Sequence, residues 1–331
     1  MTVGRSYART DPGRKRRGNE DAYVCRPPLF AIADGMGGAQ AGEVASALAA
    51  EALTDMQANG TGERRVAALI QEANRRVHER ASTDASTSGM GTTITVALVE
   101  DDGAVTFGHV GDSRAYLLRN GKLEQLTDDH SLVAELVRRG ELSPAEAEVH
   151  PQRSVITRAL GTDPDIDVDT FTFRAQPGDL FLICSDGLSD MLDHDMIASI
   201  LLTHRDDLEA ASKALVQGAN RAGGEDNISA VLFEIADDGR APAGEPDERT
   251  REYAPEFLDE DTLHPEDHVL PPPAPAADDT MVVPAEAVRE AIAVEEDGEP
   301  EATLARKALA LAVIVALCAL IVVLVLWGLA R

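Results

Sequence analysis

Apolar and polar residues alternate in short runs along the first 236 residues. Many of the runs are brief and rich in Val, Ile, Thr and Phe, which predicts β-strands. The predicted strands include Ala22–Cys25, Leu29–Ala33, Thr92–Val99, Val105–Val110, Ala115–Leu118, Val168–Phe173, Leu180–Cys184 and Ile228–Ile235. Strands outnumber helices, and each kind occurs in consecutive pairs. The pattern therefore favours an α+β fold with mixed antiparallel sheet over a regular βαβ alternation.

Longer segments place apolar residues at helical spacing, as Val66, Leu69, Ile70, Ala73 and Val77 do. This spacing puts the apolar residues on one face and predicts amphipathic helices. The predicted helices are Gly42–Asp55, Glu63–Ala81, Ser131–Arg139, Asp195–Thr203 and Leu208–Arg221.

The composition changes after residue 236. Residues 237–303 contain 21 Asp and Glu against four Arg, a net charge of −17, and ten of the 17 Pro. Such a segment cannot bury enough apolar surface to fold, which predicts a disordered and extended linker. An acidic docking segment is the alternative. We therefore predict a catalytic domain at 1–237 and a linker at 238–305.

The third predicted region, 306–331, contains an apolar run without charges. Residues 308–330 form 23 such positions, enough to cross a bilayer as a helix. Arg306 and Lys307 precede the run and only Arg331 follows it, which favours the N-terminal side as cytoplasmic. We expect a single-pass anchor in the cell membrane, with the catalytic domain in the cytoplasm.

The overall charge and the cysteines restrict the function classes. A formal net charge of −28 argues against nucleic acid as a partner, because phosphate binding needs basic surface. Cys25, Cys184 and Cys318 show no Cys or His metal spacing. They are interpreted as unpaired thiols in a reducing compartment.

Two apolar runs are each followed by an Asp-Gly pair. Asp34-Gly35 follows Leu29–Ala33, and Asp186-Gly187 comes one residue after Leu180–Cys184. One such pair alone is more often a turn than a site. Further acids also stand near the ends of predicted strands, namely Glu20, Asp21, Asp112 and Asp226. We expect these carboxylates to converge on one edge of the sheets.

Converging carboxylates indicate a hard divalent cation. Buried carboxylates repel one another unless cations neutralise them, and an all-oxygen set suits Mg²⁺ or Mn²⁺. Two such ions about 3.5–4 Å apart can share a water and lower its pKa, giving a hydroxide that attacks phosphorus. A glycine beside the acid would let a backbone carbonyl approach a metal. Arg16, five residues before Asp21, is the best-placed cation for a phosphate.

These segments, in this order, resemble the motifs of type 2C (PPM) protein phosphatases over about residues 4–236. The motifs are Arg16-x-x-Asn19-Glu20-Asp21, Ala33-Asp34-Gly35-Met36-Gly37-Gly38, Gly91-Thr92-Thr93, Gly111-Asp112-Ser113-Arg114, Cys184-Ser185-Asp186-Gly187-Leu188 and Asp226-Asn227. The resemblance is strongest to bacterial members that oppose membrane Ser/Thr kinases, some of which carry a C-terminal transmembrane helix.

The resemblance implies a sandwich of two antiparallel β-sheets flanked by helix pairs, with two or three Mn²⁺ or Mg²⁺ ions at one edge. By resemblance, Asp34 bridges two of the ions. Asp186 and Asp226 hold one of them. Glu20 and the Gly35 carbonyl serve the other, partly through water.

The resemblance assigns further residues less directly. Asp21 acts through the water shell, and Arg16 binds the phosphate. Asp112 matches the ligand of a third, weaker ion in bacterial members, joined by Asp186 and the Ser154 backbone. The implied function is hydrolysis of phosphoserine and phosphothreonine on proteins, including Ser/Thr kinases, by a monomer.

The resemblance also predicts a variable flap at His130–Arg153, beside the active site. Animal relatives place a His after Asp-Gly as general acid, whereas this chain, like bacterial members, has Met36. No side chain is therefore assigned to that role. His130 and His150 lie in the flap, and the other histidines are expected to be structural or exposed.

Three other functions share part of this pattern. A pseudophosphatase would keep the fold and lose the metals, but every expected acid is present. A two-metal nuclease would also cluster carboxylates, but it needs basic grooves. A phosphatase of an anti-sigma regulatory switch shares the fold and chemistry, and such proteins often carry sensory domains that are not visible here.

Overall fold

Two antiparallel β-sheets, each covered by helices on its outer face, form the fold. The structure is a computed structural model, and it describes residues 1–37, 41–55, 60–236 and 281–282. The strands are β1 (Thr2–Asp11), β2 (Asp21–Arg26), β3 (Leu29–Met36), β4 (Gly91–Thr92), β5 (Ile94–Val99), β6 (Ala104–Val110), β7 (Arg114–Arg119), β8 (Lys122–Gln125), β9 (Val155–Ile156), β10 (Asp169–Arg174), β11 (Leu180–Cys184), β12 (Ile228–Ala236) and β13 (Met281–Val282).

The helices flank these strands in the chain as predicted, with ends that differ by one or two residues. They are α1 (Ala41–Asp55), α2 (Gly62–Thr83), α3 (Leu132–Arg138), α4 (Pro144–Glu148), α5 (Asp186–Ser189), α6 (His194–Thr203) and α7 (Leu208–Ala222), with a 3₁₀ turn at Ala85–Thr87. The short helices α4 and α5 were not predicted, because one turn of helix leaves no apolar periodicity.

The first sheet has the strand order β1-β12-β11-β7-β8, and the second has the order β10-β6-β5-β3-β2, with β4 added beside β3. All neighbouring pairs in both sheets are antiparallel. Separately, β13 pairs with β9 in parallel. The predicted pair of antiparallel sheets is confirmed.

Stacked aromatic rings join the inner faces of the two sheets. Phe30 of β3 stacks on Phe233 of β12 with ring centroids 4.2 Å apart, and Phe181 of β11 also stacks on Phe233, at 4.9 Å. All three side chains are fully buried. Because side chains alternate along a strand, the intervening residues face the helices instead.

The outer faces explain why the central strands are apolar at every position. Helices α1 and α2 cover the second sheet, packing on Ala31 and Ala33 of β3. Helices α6 and α7 cover the first sheet, packing on Leu182 and Cys184 of β11. A strand buried on both faces needs no polar positions, so its sequence reads as one continuous apolar run.

The strands β1 and β8 were not predicted from the sequence. Both lie at the edges of the first sheet, and neither carries a run of large apolar residues. The strand β1 is held by a long antiparallel pairing with β12, from Thr2 opposite Ala236 to Asp11 opposite Ile228. The positions of these two edge strands are set by backbone hydrogen bonding to their neighbours and not by a pattern of apolar side chains.

The prediction that Asp34 follows its strand is wrong. Strand β3 continues through Asp34 to Met36, because Gly35 and Met36 pair with Thr92 and Gly91 of β4. Asp34 is thus a strand residue with its backbone fixed on both sides.

The predicted linker and membrane anchor, 238–305 and 306–331, lie outside the described residues except for β13. Within the described part, the structure contains no helix whose length and hydropathy suit a membrane span. Cys25 and Cys184 are unpaired, as predicted, while Cys318 falls outside the described residues.

Candidate active site

Asp34 and Asp21 face each other across two neighbouring strands. They are direct partners in the antiparallel register of β2 and β3. The Asp34 carbonyl accepts hydrogen bonds from the Thr93 N–H at 2.9 Å and the Thr92 hydroxyl at 2.8 Å, and the Asp34 N–H donates to Thr93 Oγ1 at 3.1 Å. The Gly91-Thr92-Thr93 motif therefore holds the backbone of Asp34.

Asp186 is the first residue of α5 and follows Ser185 at the end of β11. Its neighbour Gly187 lies against the backbone just before β12. A Cβ on Gly187 would stand 2.2 Å from the Asn227 carbonyl oxygen, closer than any real contact. Glycine is therefore required for the Asp186 loop to pack beside Asp226.

The glycine after Asp34 has a similar reason. A Cβ on Gly35 would lie 2.1 Å from the Gly42 carbonyl oxygen and 2.6 Å from that of Glu20. The sequence analysis linked this glycine to the approach of a carbonyl to a metal. The structure adds a packing reason, because the Glu20 segment and the start of α1 approach the Gly35 backbone closely.

Glu20 lies where its segment meets α1 and the Asn227 side chain. Its N–H donates to Asn227 Oδ1 at 2.7 Å, and its carbonyl accepts from Gly35 N–H at 3.1 Å and Ser46 Oγ at 2.5 Å. A Cβ on Gly42 would be 2.5 Å from Glu20 Oε2, so the carboxylate touches the first turn of α1.

Asp21 is buried and held by two hydroxyls from the other sheet. Its Oδ2 accepts from Ser185 Oγ at 3.0 Å and from Ser229 Oγ at 2.5 Å. Burial raises the pKa of Asp21 to about 7, although these hydrogen bonds oppose the shift. The sequence analysis did not single out Ser229, since a Ser inside an apolar strand carries no motif.

Asp226 is paired with Arg16. The Arg16 Nη2 lies 2.7 Å from Asp226 Oδ2, and both side chains are partly exposed. The residue predicted to bind phosphate and a predicted metal ligand are therefore in contact. The guanidinium places positive charge at the edge of the carboxylate cluster.

The carboxylates raise one another's pKa. Burial raises the pKa of Asp34 well above its ordinary value, and Asp21, Asp186 and Asp226 add to the shift. Burial does the same for Asp186, with Asp112 the largest contribution from a neighbouring charge. The structure therefore brings Asp21, Asp34, Asp112, Asp186 and Asp226 into one electrostatic cluster.

The donor set fits hard cations. All of the clustered groups are oxygen ligands, which Mg²⁺ and Mn²⁺ prefer. Asp21 Oδ1 and Asp186 Oδ1 are buried without a hydrogen-bond partner, which leaves them open to a cation. In the described part of the chain, no three acidic, His or Cys side chains form a ready-made metal cage. The support for metal binding is therefore the oxygen chemistry of the cluster and its two unpartnered carboxylate oxygens.

Asp112 lies on the side of the cluster that faces a cleft. Burial, with Asp129 and Asp190 nearby, raises its pKa to about 7. Asp190 was missed by the sequence analysis, although it stands four residues after Asp186, on the same side of a short helix. That i, i+4 spacing is the signal that could have found it.

The predicted flap forms one wall of this cleft, which has a volume of about 790 Å³. Helices α3 and α4 contribute apolar and basic side chains, and Ser154 lies at the end of the wall. The lining includes Asp112, Asp186, Asp190, Val133, Val137, Val149, Arg138 and Arg153. His150 is not among the lining residues, and His130 is buried.

Met36 is buried against Ile156 and Ala159, a setting that matches the absence of a general acid at this position. Burial lowers the pKa of His109 to about 3 and also lowers that of His130.

A sequence model of the protein phosphatase 2C family matches residues 18–232. The chain is 41% identical over 238 residues to the serine/threonine phosphatase stp of Listeria monocytogenes, covering 68% of this chain and 94% of that protein. The crystal structure of the Mycobacterium tuberculosis serine/threonine phosphatase PstP/Ppp is similar with a TM-score of 0.67 and 37% identity, over 71% of this chain and all of that one. The catalytic domain of PstP in complex with two manganese ions is similar with a TM-score of 0.65 and 35% identity, over 72% of this chain and all of that one.

The raised pKa values predict a pH dependence of stability in metal-free protein. A carboxyl whose pKa rises on folding favours the folded state while protonated, and that contribution is lost as pH rises from its ordinary value toward its folded value. For Asp112 this window runs from 3.8 to about 7.

Urea unfolding in EDTA should show a smaller free energy of unfolding at pH 7.5 than at pH 5. The difference should shrink in Asp112→Asn and persist in the exposed control Asp195→Asn. An equal pH dependence in all three proteins would contradict the prediction.

Proposed function

This chain belongs to the protein phosphatase 2C family, and we propose that it removes phosphate from phosphoserine and phosphothreonine on proteins, using divalent metal ions held by the carboxylate cluster. The observation that carries the proposal is the convergence of Asp21, Asp34, Asp112 and Asp186, with two buried carboxylate oxygens left without hydrogen-bond partners. Mutual repulsion in such a cluster is relieved by cations.

The proposed ligands divide by their setting. Asp34 would serve both of the central ions, Asp186 and Asp226 would hold one, and Glu20 and the Gly35 carbonyl would hold the other, partly through water. Asp21, whose Oδ2 is held by Ser185 and Ser229, acts through the water shell. Asp112, with Asp186 and the Ser154 backbone, is the proposed site of a third ion. When bound, Mn²⁺ or Mg²⁺ acidifies water and neutralises charge on the phosphoryl oxygens.

The protein's own residues then position the substrate. Arg16 lies at the edge of the cluster, where its planar guanidinium can bind two phosphoryl oxygens. Thr92 and Thr93 keep the Asp34 backbone in place, so the central carboxylate does not shift when charge develops. The cleft beside the flap receives the peptide on either side of the phosphorylated residue.

The other candidate functions lack a supporting observation. A pseudophosphatase has lost metal ligands, whereas every expected acid is present in this chain. A nuclease would need a basic groove, whereas the cleft is lined by both acidic and basic side chains. An anti-sigma switch phosphatase would use the same site and differs only in its substrate.

We further propose that residues 308–330 anchor the protein in the cell membrane with the catalytic domain in the cytoplasm. The support is compositional, since the run is long and apolar enough for a span. The domain would thus act near membrane kinases and their substrates at raised effective concentration.

Substitution of the central acids should abolish activity without unfolding the protein. With Mn²⁺ present, the full-length chain should hydrolyse a phosphothreonine peptide and leave single-stranded DNA intact. Asp34→Asn and Asp186→Asn should lower the rate roughly a hundredfold or more, because each removes a ligand of the metal ions that would stabilise charge in the transition state. Asp195→Asn, an exposed acid, should keep the wild-type rate. A folded wild-type protein that binds Mn²⁺ but hydrolyses no phosphopeptide would overturn the proposal.

The anchor is tested by fractionation of cells that express deletion variants. Loss of residues 304–331 should move the protein from the membrane to the soluble fraction. Loss of residues 238–303, which keeps the apolar run, should leave it in the membrane fraction. A protein without 304–331 that remains with the membrane would show that the run is not the anchor.

A further inference from the structure

His130 stands at the beginning of the flap and is bonded twice to the residue before Asp112. The His130 N–H donates to the Gly111 carbonyl at 2.8 Å, and the Gly111 N–H donates to His130 Nδ1 at 3.0 Å. The imidazole is almost completely buried. Two hydrogen bonds in opposite directions fix the Gly111 backbone, and with it the position from which the Asp112 side chain projects.

The second imidazole nitrogen, Nε2, also has a hydrogen-bond partner. Because Nδ1 accepts from Gly111, the neutral ring carries its proton on Nε2, which donates to Asp169 Oδ2 at 3.1 Å. The Arg158 guanidinium, 3.2 Å from Nε2, is bonded to the other Asp169 oxygen at 2.5 Å. Burial and the nearby Arg158 lower the pKa of His130, which favours this neutral form. Asp169 thus fixes the tautomer and the orientation of the ring.

Gly111 is held on its other side by the motif that supports Asp34. Its φ is +111°, and a Cβ there would lie 2.5 Å from Thr93 Cβ. Thr93 makes two hydrogen bonds with the Asp34 backbone and also contacts Ser113 Oγ at 2.9 Å. The backbone of Gly111 is therefore packed between His130 and Thr93, with no room for a side chain.

His130 also connects the two ends of the flap. The Thr157 N–H donates to the His130 carbonyl at 2.8 Å, and Ser131 pairs with Ile156 of β9. Ser131 also begins α3, where its hydroxyl accepts from the Ala134 N–H. Contacts therefore connect the flap, through His130 and Gly111, to the Asp112 loop and, through Thr93, to the strand that carries Asp34.

We propose that His130 is a positioning residue that couples the flap to the metal-binding carboxylates by fixing Gly111 between the flap and Thr93. A shift of the flap would move the Gly111 backbone, and Asp112 would move with it. A cation bound by Asp112 would in turn stabilise the flap in the arrangement seen here. This inference rests on the proposed function, because it takes Asp112 to be a metal ligand.

Two substitutions of His130 distinguish the hydrogen bond that Nδ1 accepts from Gly111 from the one that Nε2 makes with Asp169. In His130→Asn, the amide oxygen can take the place of Nδ1 and still accept from the Gly111 N–H. In His130→Gln, the longer amide reaches the place of Nε2 and can contact Asp169, but the Gly111 N–H loses its acceptor. Mn²⁺ titration calorimetry on the full-length chain should show the weakest binding step about fivefold weaker in His130→Gln, the effect of one buried hydrogen bond. In His130→Asn the same step should stay within about twofold of wild type.

The variant Asp112→Asn identifies the weakest binding step, because the loss of this carboxylate should remove that step from the titration. If Asp112→Asn leaves the titration unchanged, the metal assignment of Asp112 is wrong and the coupling is overturned with it. The central phosphatase proposal is decided separately, by the activity of Asp34→Asn. Equal losses in His130→Asn and His130→Gln, or no loss in His130→Gln, would mean that His130 only fills space.

A measurement on the wild-type chain needs no substitution. Mn²⁺ should slow amide hydrogen exchange in residues 111–119 and also in residues 130–138, because the two segments share the His130–Gly111 hydrogen bonds. Slower exchange confined to 111–119 would overturn the coupling.

Discussion

Several carboxylates held together in a buried place repel one another, and the arrangement of the catalytic region follows from that constraint. Two of the acids, Asp21 and Asp34, come from one sheet, while Asp186 and Asp226 flank strands of the other. Asp112 lies on the connection between the sheets. The two sheets of the sandwich therefore contribute carboxylates to the same edge, and together these carry more negative charge than the acids of either sheet alone. Protons, Arg16 or metal ions must compensate it.

Rigid backbone supports are the second requirement, because repelling side chains would otherwise move apart. Thr92 and Thr93 bind the backbone of Asp34, and Ser185 and Ser229 bind the side chain of Asp21. The glycines at 35 and 187 let backbone segments approach more closely than any Cβ would permit. The packed sheets thus hold the acids at a distance that is unfavourable without cations. This is how a stable core prepares a site for metal binding.

The sequence predicted the central strands well because they are buried on both faces, as Leu180–Cys184 shows. It missed β1 and β8, whose positions depend on backbone pairing at sheet edges rather than on apolar side chains. It placed Asp34 after its strand, because the pairing of Gly35 with Thr92 joins residues 57 positions apart and leaves no local signal. The motif acids could be predicted, since apolar runs lead to them. The supporting role of Ser229 and the hydrogen bonds between His130 and Gly111 could not be predicted, because the bonded partners are distant in the chain.

We propose above that the acid cluster binds divalent metal ions for phosphate hydrolysis. Anomalous diffraction at the manganese edge, from crystals grown with Mn²⁺, tests it most directly. We expect strong peaks bounded by Asp34, Asp186 and Asp226, with a weaker peak beside Asp112, and Arg16 turned from Asp226 toward the phosphate position. A map with no manganese at these carboxylates, from protein that is active in the same buffer, would contradict it.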